Sequence, residues 1–370
     1  MKEVVLLNLL SVRQGGQLVR AREFLLNFNK CNENRFSLVV YKFEGSLDWV
    51  NDEENVLVRE LPVILNSRFL SILWYEYFGF KKIVIAEKVS IILTFSHLYL
   101  RRHLGVKSIV GLSNLAPFDS YVRRNARFRN KIKLFLLKKS ITLSLNNADL
   151  ILALSETAKK ILVQEGYEIH KIHVAEIGVN FDDNLGQRIC QNNDKYLLYV
   201  SHFYHYKNHL TLIKAYHRLG FNFWRNYPLY LVGKTNDFGY YESIKTIIED
   251  LGLNSYVVII TNLERDQLQD LYKNCIAFIF PSLVENCPNS LLEAMYFKVP
   301  IAMTNLPPMT EYYPNNKYTF NPFSEIDIAE KLQLVVKADR MEVASDVSLI
   351  IGKFSWGNFT SSILSRMERL

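Results

Sequence analysis

Pro281-Ser-Leu-Val-Glu285-Asn-Cys-Pro-Asn-Ser-Leu-Leu-Glu293-Ala-Met295 is the stretch that decides how this chain folds. Two glutamates stand eight positions apart, separated by a Pro-Asn-Ser turn and the start of an apolar helix. The run Ile276-Ala-Phe-Ile-Phe280 ahead of them reads as a buried strand. A strand that feeds a polar turn opening a helix suits an anionic ligand. Free backbone N–H groups and the positive end of the helix dipole both face the crevice. Ionised carboxylates only accept hydrogen bonds, so Glu285 and Glu293 suit hydroxyl donors such as sugar and ribose. The segment therefore predicts a pocket for a nucleotide-sugar. Spacing alone also allows plainer readings: Ser290-x-x-Glu293 has the form of a capping box, and Glu285 could be a solvated loop carboxylate.

At 370 residues the chain is large enough for two domains with full cores. A hydrophobic content of 49%, with only 15 Gly and 10 Pro, excludes collagen-like and low-complexity classes. No tandem repeat is present. The four cysteines, Cys31, Cys190, Cys275 and Cys287, form no C-x-x-C pair, so neither a zinc site nor a disulfide framework is expected. No signal peptide is read at Met1-Lys-Glu, which leads into a first strand. No window reaches the roughly 18 apolar residues of a membrane span. The longest run, Ile83 to Phe95, is broken by Glu87 and Lys88. A reducing cytosol is the expected compartment.

Alternation of short β-branched or aromatic runs with helical stretches predicts βαβ units. First-half strands are expected at 4–10, 37–41, 107–112, 149–154 and 172–177, with helices at 17–29, 67–78, 121–145 and 156–166. Polar residues 181–195, including Asp182-Asp183, predict an interdomain link. Second-half strands follow at 197–201, 229–232, 257–260, 277–280, 301–304 and 318–320, and a last helix from Trp356 to Leu370. Two such halves predict a double Rossmann-like architecture with the active site in a cleft at the carboxyl ends of the strands.

The glutamate pair resembles the E-x7-E signature of the retaining family-4 glycosyltransferases, which have the GT-B fold: two Rossmann-like α/β domains with parallel sheets facing a central cleft. The resemblance extends through Tyr199-Val-Ser-His-Phe-Tyr-His-Tyr-Lys207-Asn208, Leu229-Tyr-Leu-Val-Gly233, Leu268-x-x-Leu-Tyr272, Val299-Pro300, Pro308-x-x-Glu311 and Ile177-Gly-Val-Asn180. It implies an acceptor-binding domain over 1–180, a nucleotide-sugar-binding domain over 181–354, and a helix over 355–370 that crosses back to the first domain.

By that resemblance Glu285 contacts the donor sugar, Glu293 the ribose and Lys207 the diphosphate. Breaking the glycosidic bond needs the leaving diphosphate stabilised by fixed cations and amides. His202 stands where the family often has Arg, and cannot supply the bidentate fork. Asn286, Cys287, Asn289 and Ser290 are expected to complete the phosphate cradle at the helix start, with Pro288 at its first position. Gly15-Gly16 matches the family's glycine-rich loop, and Asn114 is the polar residue nearest the place of a sugar-contacting His. Lys207 also reads as a surface lysine, His202 as a structural residue, and Gly15-Gly16 and Asn114 as turn residues.

No metal-ligand cluster or strand-end D-x-D is found, so a metal-independent enzyme with no cofactor beyond its UDP- or GDP-sugar donor is expected; the resemblance implies retention of anomeric configuration. A glycan or polyprenyl-linked acceptor in bacterial surface polysaccharide assembly, such as capsule or lipopolysaccharide, is the implied setting. The alternatives are a degenerate GT-B module that only binds glycans or partners, and another nucleotide-sugar enzyme such as an epimerase. A dehydrogenase is disfavoured because no G-x-G-x-x-G fingerprint exists.

Net charge is +7, yet residues 101–148 alone hold eleven Lys and Arg against one acid, Asp119. At about 100° per residue Arg123, Arg124, Arg127, Lys131 and Lys138 share one helical arc, and Tyr121, Phe128, Ile132, Phe135 and Leu136 another. The apolar arc is expected on the sheet. The cations of 121–139 are expected to meet an anionic membrane surface, which makes the protein peripheral on the inner face of the membrane. Nucleic acid is not expected as a partner, since no binding motif accompanies the charge.

Overall fold

The computed structural model describes residues 2–12, 15–64, 66–96, 98–103, 105–126, 128–181, 195–235 and 237–370. Arg127, Asp182-Asp183, Cys190 and the side chains of Phe128 and Arg129 lie outside the described residues. The chain divides into two compact units, Met1–Gly178 with Phe354–Leu370, and Val179–Lys353. Both are the expected α/β type with one parallel sheet each.

In the first unit the strands are β1 (Glu3–Asn8), β2 (Phe36–Phe43), β3 (Val56–Leu61), β4 (Val89–Thr94), β5 (Lys107–Gly111), β6 (Leu150–Ala153) and β7 (Ile172–Val174). Their order is β3-β2-β1-β4-β5-β6-β7. Helix α1 (Gly16–Asn32) joins β1 to β2. Helix α2 (Arg68–Trp74), a π-helical turn over Tyr75–Gly79 and α3 (Phe80–Ala86) join β3 to β4. Helices α4 (Ser120–Asn125) and α5 (Phe128–Asn147) join β5 to β6, and α6 (Glu156–Gln164) joins β6 to β7. Parallel crossovers are right-handed. The run toward β7 therefore places α2, α3, α5 and α6 on one sheet face, and α1, running the other way, on the opposite face. Packing agrees: Ile72, Tyr75, Phe80 and Val84 share one core cluster with Ile141, Leu145, Ala158 and Leu162.

In the second unit the strands are β8 (Leu197–Val200), β9 (Leu229–Val232), β10 (Val257–Ile260), β11 (Ala277–Phe280), β12 (Ile301–Thr304) and β13 (Thr319–Phe320). Their order is β10-β9-β8-β11-β12-β13. The helices are α7 (His209–His217), α8 (Phe221–Asn226), α9 (Phe238–Asp250), α10 (Arg265–Asn274), α11 (Asn289–Tyr296), α12 (Met309–Tyr312), α13 (Glu325–Val335) and α14 (Arg340–Ile351). Its central strands β8, β11 and β12 are almost wholly buried, which is why they read as continuous apolar runs rather than alternating ones.

The last helix, α15 (Trp356–Met367), belongs to the first unit and packs along α1. Phe359 lies 5.9 Å ring to ring from Phe95, and Arg35 pairs with Glu368 at 2.8 Å. Gly178 makes the approach possible: a Cβ there would stand 2.2 Å from the Trp356 backbone nitrogen.

Three expectations are corrected. Strands β3 and β4 were not foreseen. β3 is an edge strand with mostly exposed or half-buried residues. β4 is hidden in the run 83–95, which Lys88 at φ 54° divides into the end of α3 and a strand. The helix expected over 121–145 is broken at Ala126, whose ψ of 143° is extended. The apolar arc does not face the sheet along its length. Ile141 and Leu145 are buried, but Ile132, Phe135 and Leu136 are exposed. Only the later turns of the helix bury their apolar side chains, a tertiary feature that periodicity cannot show.

Glu76 sits in the π-helical turn, 1% exposed. It accepts from Asn8 Nδ2 at 2.9 Å and from the Leu100 amide at 3.0 Å, joining the end of β1 to the segment after β4. Burial pushes its carboxyl from 4.5 up to about 7, against the pull of those two donors. A carboxyl that binds its proton more tightly when folded stabilises the fold fully below the unfolded pKa. That stability falls as pH rises through the folded pKa. Glu76→Gln is expected to flatten the loss of unfolding free energy between pH 4.5 and 7, a term on the order of 3 kcal/mol. Urea titrations across that range check it, and an unchanged slope would refute the assignment.

Candidate active site

Each sheet reverses its winding once. The chain runs outward from β1 to β2 and β3, then returns to lay β4 on the other side of β1; β8 and β11 repeat the arrangement. Loops leaving two neighbouring strands diverge at such a point and open a crevice at the carboxyl ends. Lys207 leaves β8 and Glu285 leaves β11, so residues 78 apart in sequence are brought together by one strand pairing.

Local structure completes the approach. Tyr204 accepts the Lys207 amide at 2.9 Å, closing a 3-10 turn over His205–Lys207, and Asn208 at φ 62° starts α7. The Leu283 amide bonds the Tyr206 carbonyl at 2.9 Å and holds the β11 loop against that turn. Below them the Tyr199 hydroxyl donates to the Lys207 carbonyl at 2.7 Å and lies 3.1 Å from Ser282 Oγ. Lys207 Nζ then reaches Glu285 Oε1 at 2.5 Å, with side chains 13% and 10% exposed, over the face of Tyr206. Glu285 is therefore not a solvated loop carboxylate, nor Lys207 an ordinary surface lysine.

Glu293 lies within α11 and accepts from the Tyr272 hydroxyl at 2.8 Å. Burial raises its carboxyl to about 7, while Tyr272 and the charge of Arg265 pull the other way. The capping-box reading fails: α11 is preceded by Pro288 with no side-chain cap, and Glu293 is the helix's fifth residue. Pro288 stands one place earlier than expected, before the helix. The cradle is also corrected in part. The Asn289 amide bonds the Cys287 carbonyl at 3.0 Å and so is already engaged. Asn289 Oδ1 is buried without a partner among the described residues, and Cys287 Sγ lies 3.2 Å from the Tyr312 hydroxyl.

His202 follows β8 and is exposed on one side. Desolvation on its other side, then the charges of Lys207 and Lys234, lower its pKa. At neutral pH it is an uncharged hydrogen-bonding group, so Lys207 supplies the positive charge at this turn. Gly233 ends β9 so close to β8 that a Cβ would lie 1.9 Å from the Ser201 carbonyl oxygen.

In the first unit Gly15, at φ 70° and ψ −157°, precedes α1 and accepts the Leu18 and Val19 amides. Only glycine adopts that conformation readily, which gives the turn a physical reason. Gly16 is the first residue of α1. Asn114 follows β5, and its Oδ1 accepts the Ala116 amide at 2.9 Å, the turn-shaping role. Among the described residues no three His, Cys, Asp or Glu gather as a metal site. The sequence missed Tyr272, Tyr206 and Tyr199 as supports. Tyr272 enters the sequence reading only through the match of Leu268-x-x-Leu-Tyr272, since nothing in sequence marks it as the partner of Glu293.

A half-buried ion pair that loses one member leaves the other charge uncompensated. Lys207→Met is expected to cost roughly 3 to 5 kcal/mol, and adding Glu285→Leu to recover part of it. A double-mutant cycle by urea unfolding checks the coupling, and additive losses would show none.

Residues 182–346 match the model of glycosyl transferases group 1, and residues 31–183 that of glycosyltransferase family 4. The serotype-specific mannosyltransferase WbdA of Escherichia coli is 29% identical over 238 residues, 60% of this chain and 29% of that protein. The chain thus matches less than a third of WbdA's length. The O-antigen chain mannosyltransferase RfbU of Salmonella typhimurium is 26% identical over 276 residues, 70% of this chain and 69% of its own. Among solved structures, a glycosyltransferase from Rickettsia africae superposes with TM-score 0.71 at 18% identity, covering 100% of this chain and 98% of that one. With the two family models together spanning residues 31–346, this chain belongs to the group 1, family 4 type of glycosyltransferases, of GT-B fold.

Proposed function

We propose that the chain transfers a hexose from a UDP- or GDP-linked donor, with retention and without a metal, to a glycan or polyprenyl-linked acceptor in bacterial surface polysaccharide assembly. The Lys207–Glu285 pair at the winding reversal carries this reading. A cation held at a crevice by a carboxylate is pre-positioned for a diphosphate. When phosphate oxygens take the ammonium, the Glu285 carboxylate is released toward sugar hydroxyls. Glu293, balanced near neutrality by burial and Tyr272, accepts from ribose hydroxyls when ionised. The Ser290 amide and the start of α11 add donors for phosphate, and neutral His202 adds one hydrogen bond.

WbdA and RfbU are both mannosyltransferases by name, which puts mannose first among the sugars to try. No helix among the described residues is long and apolar enough to cross a membrane. The cations of 121–139 favour a cytoplasmic enzyme resting on an anionic membrane surface.

Thermal shift with UDP- and GDP-sugars tests the donor. One nucleotide is expected to stabilise the wild type, by about 2.7 kcal/mol at a hundred times Kd, and not the Glu293→Ala, Lys207→Ala double variant. Single Glu293→Gln guards against general instability. No stabilisation by any nucleotide-sugar would favour the degenerate binding module instead, and release of an epimerised or free sugar without acceptor would favour the other enzyme class.

A further inference from the structure

The segment from α2 through α3 presents an unusual outer face. Its exposed residues are Arg68, Phe69, Leu70, Trp74, Tyr77, Phe78, Lys81, Lys82, Ile85 and Ala86. Six of these are large and apolar, three are cations and none is acidic. Phe78 is 63% and Ile85 70% exposed. The π-helical turn makes this possible. Its longer repeat keeps Tyr75, Glu76 and Phe80 buried beneath while Trp74, Tyr77 and Phe78 stay outside. Their rings touch, with Trp74 6.3 Å and Tyr77 6.4 Å from Phe78.

A second ridge lies in the same helical layer. On α5 the exposed residues include Lys131, Ile132, Lys133, Phe135, Leu136, Lys139 and Leu143, again with no acid, and Lys139 lies 4.7 Å over the Phe135 ring. The two ridges are mechanically joined. Arg101 bonds the Tyr77 carbonyl, the Leu100 amide bonds Glu76, Asn147 bonds the Leu100 carbonyl, and Ser144 Oγ accepts the Tyr99 amide. Lys138 is paired with Glu165 and is not counted among the outward cations.

Contiguous apolar patches of this kind mark a docking surface. Trp and Tyr beside lysines are the residues that settle at the boundary of headgroups and acyl chains. A second copy of this chain fits poorly, since a two-fold contact would set Lys81, Lys82, Lys131, Lys133 and Lys139 against the same cationic surface.

We infer that the outer side of this helical layer is a membrane-insertion face. Phe69, Trp74, Phe78 and Ile85 enter the acyl boundary of an anionic bilayer, Phe135 and Leu136 form a second wedge, and the flanking lysines hold the headgroup phosphates. This rests on the reading of 121–139 as facing an anionic surface, and extends it to a segment outside the basic stretch.

Sedimentation of the full chain with vesicles of phosphatidylglycerol and phosphatidylcholine, or of phosphatidylcholine alone, tests it. The wild type is expected to bind the anionic vesicles, with emission quenched by brominated acyl chains and the quenching lost in Trp74→Phe. Phe69→Ser with Phe78→Ser is expected to lower partitioning at least about tenfold with an unchanged melting temperature. Lys131→Glu with Lys139→Glu should lower it also. Loss only in the lysine variant, without bromine quenching, would overturn insertion while leaving the anionic-surface reading intact. A wild type that binds neither vesicle would overturn both. A concentration-dependent dimer abolished by the Phe variant would assign the face to a second copy.

Discussion

Pairing of β8 with β11, through Leu197 beside Ala277 and Leu198 beside Phe278, is the constraint from which the candidate site follows. Both strands are apolar and buried on both faces, so neither can slip without exposing its neighbours. Because the chain winds outward in opposite senses from this pair, its two following loops part. Lys207 and Glu285 occupy those loops, and the Leu283 to Tyr206 bond ties them. The first unit repeats the geometry at β1 and β4, where Ser11 and Ser96 on the two following loops meet at 2.5 Å.

The carboxylates divide by environment. Glu285 keeps a cation at contact distance, and its burial is offset by that pairing. Glu76 and Glu293 have only neutral donors at contact, and burial raises both to about 7. Glu76 uses its donors to join two segments of the first unit, a structural use. Glu293 stands one turn inside a helix that opens at the crevice, where a ligand's hydroxyls could complete its coordination.

Charge and apolar exposure meet on the outer helical layer of the first unit. An amphipathic helix ordinarily hides its apolar arc, and the basic stretch was read that way. The fold instead uses Ile141 and Leu145 for burial and leaves Ile132, Phe135 and Leu136 outside, beside lysines.

By itself the sequence determined the α/β class and six of six strands in the second unit to within a residue, and it singled out Lys207 and Glu285, which the structure brings into contact. These features are local: apolar runs of strand length and a polar turn opening a helix are written in consecutive residues. Gly15 and Asn114 were legible as turn formers for the same reason. The tertiary structure alone decided the ion pair between Lys207 and Glu285, the Tyr272 hydroxyl on Glu293, and the exposure of α5. It also decided β4, which a single left-handed Lys88 separates from α3. Each depends on groups distant in sequence, or on one dihedral angle, and the order in which parallel strands lie side by side is a property of packing that no stretch of consecutive residues contains.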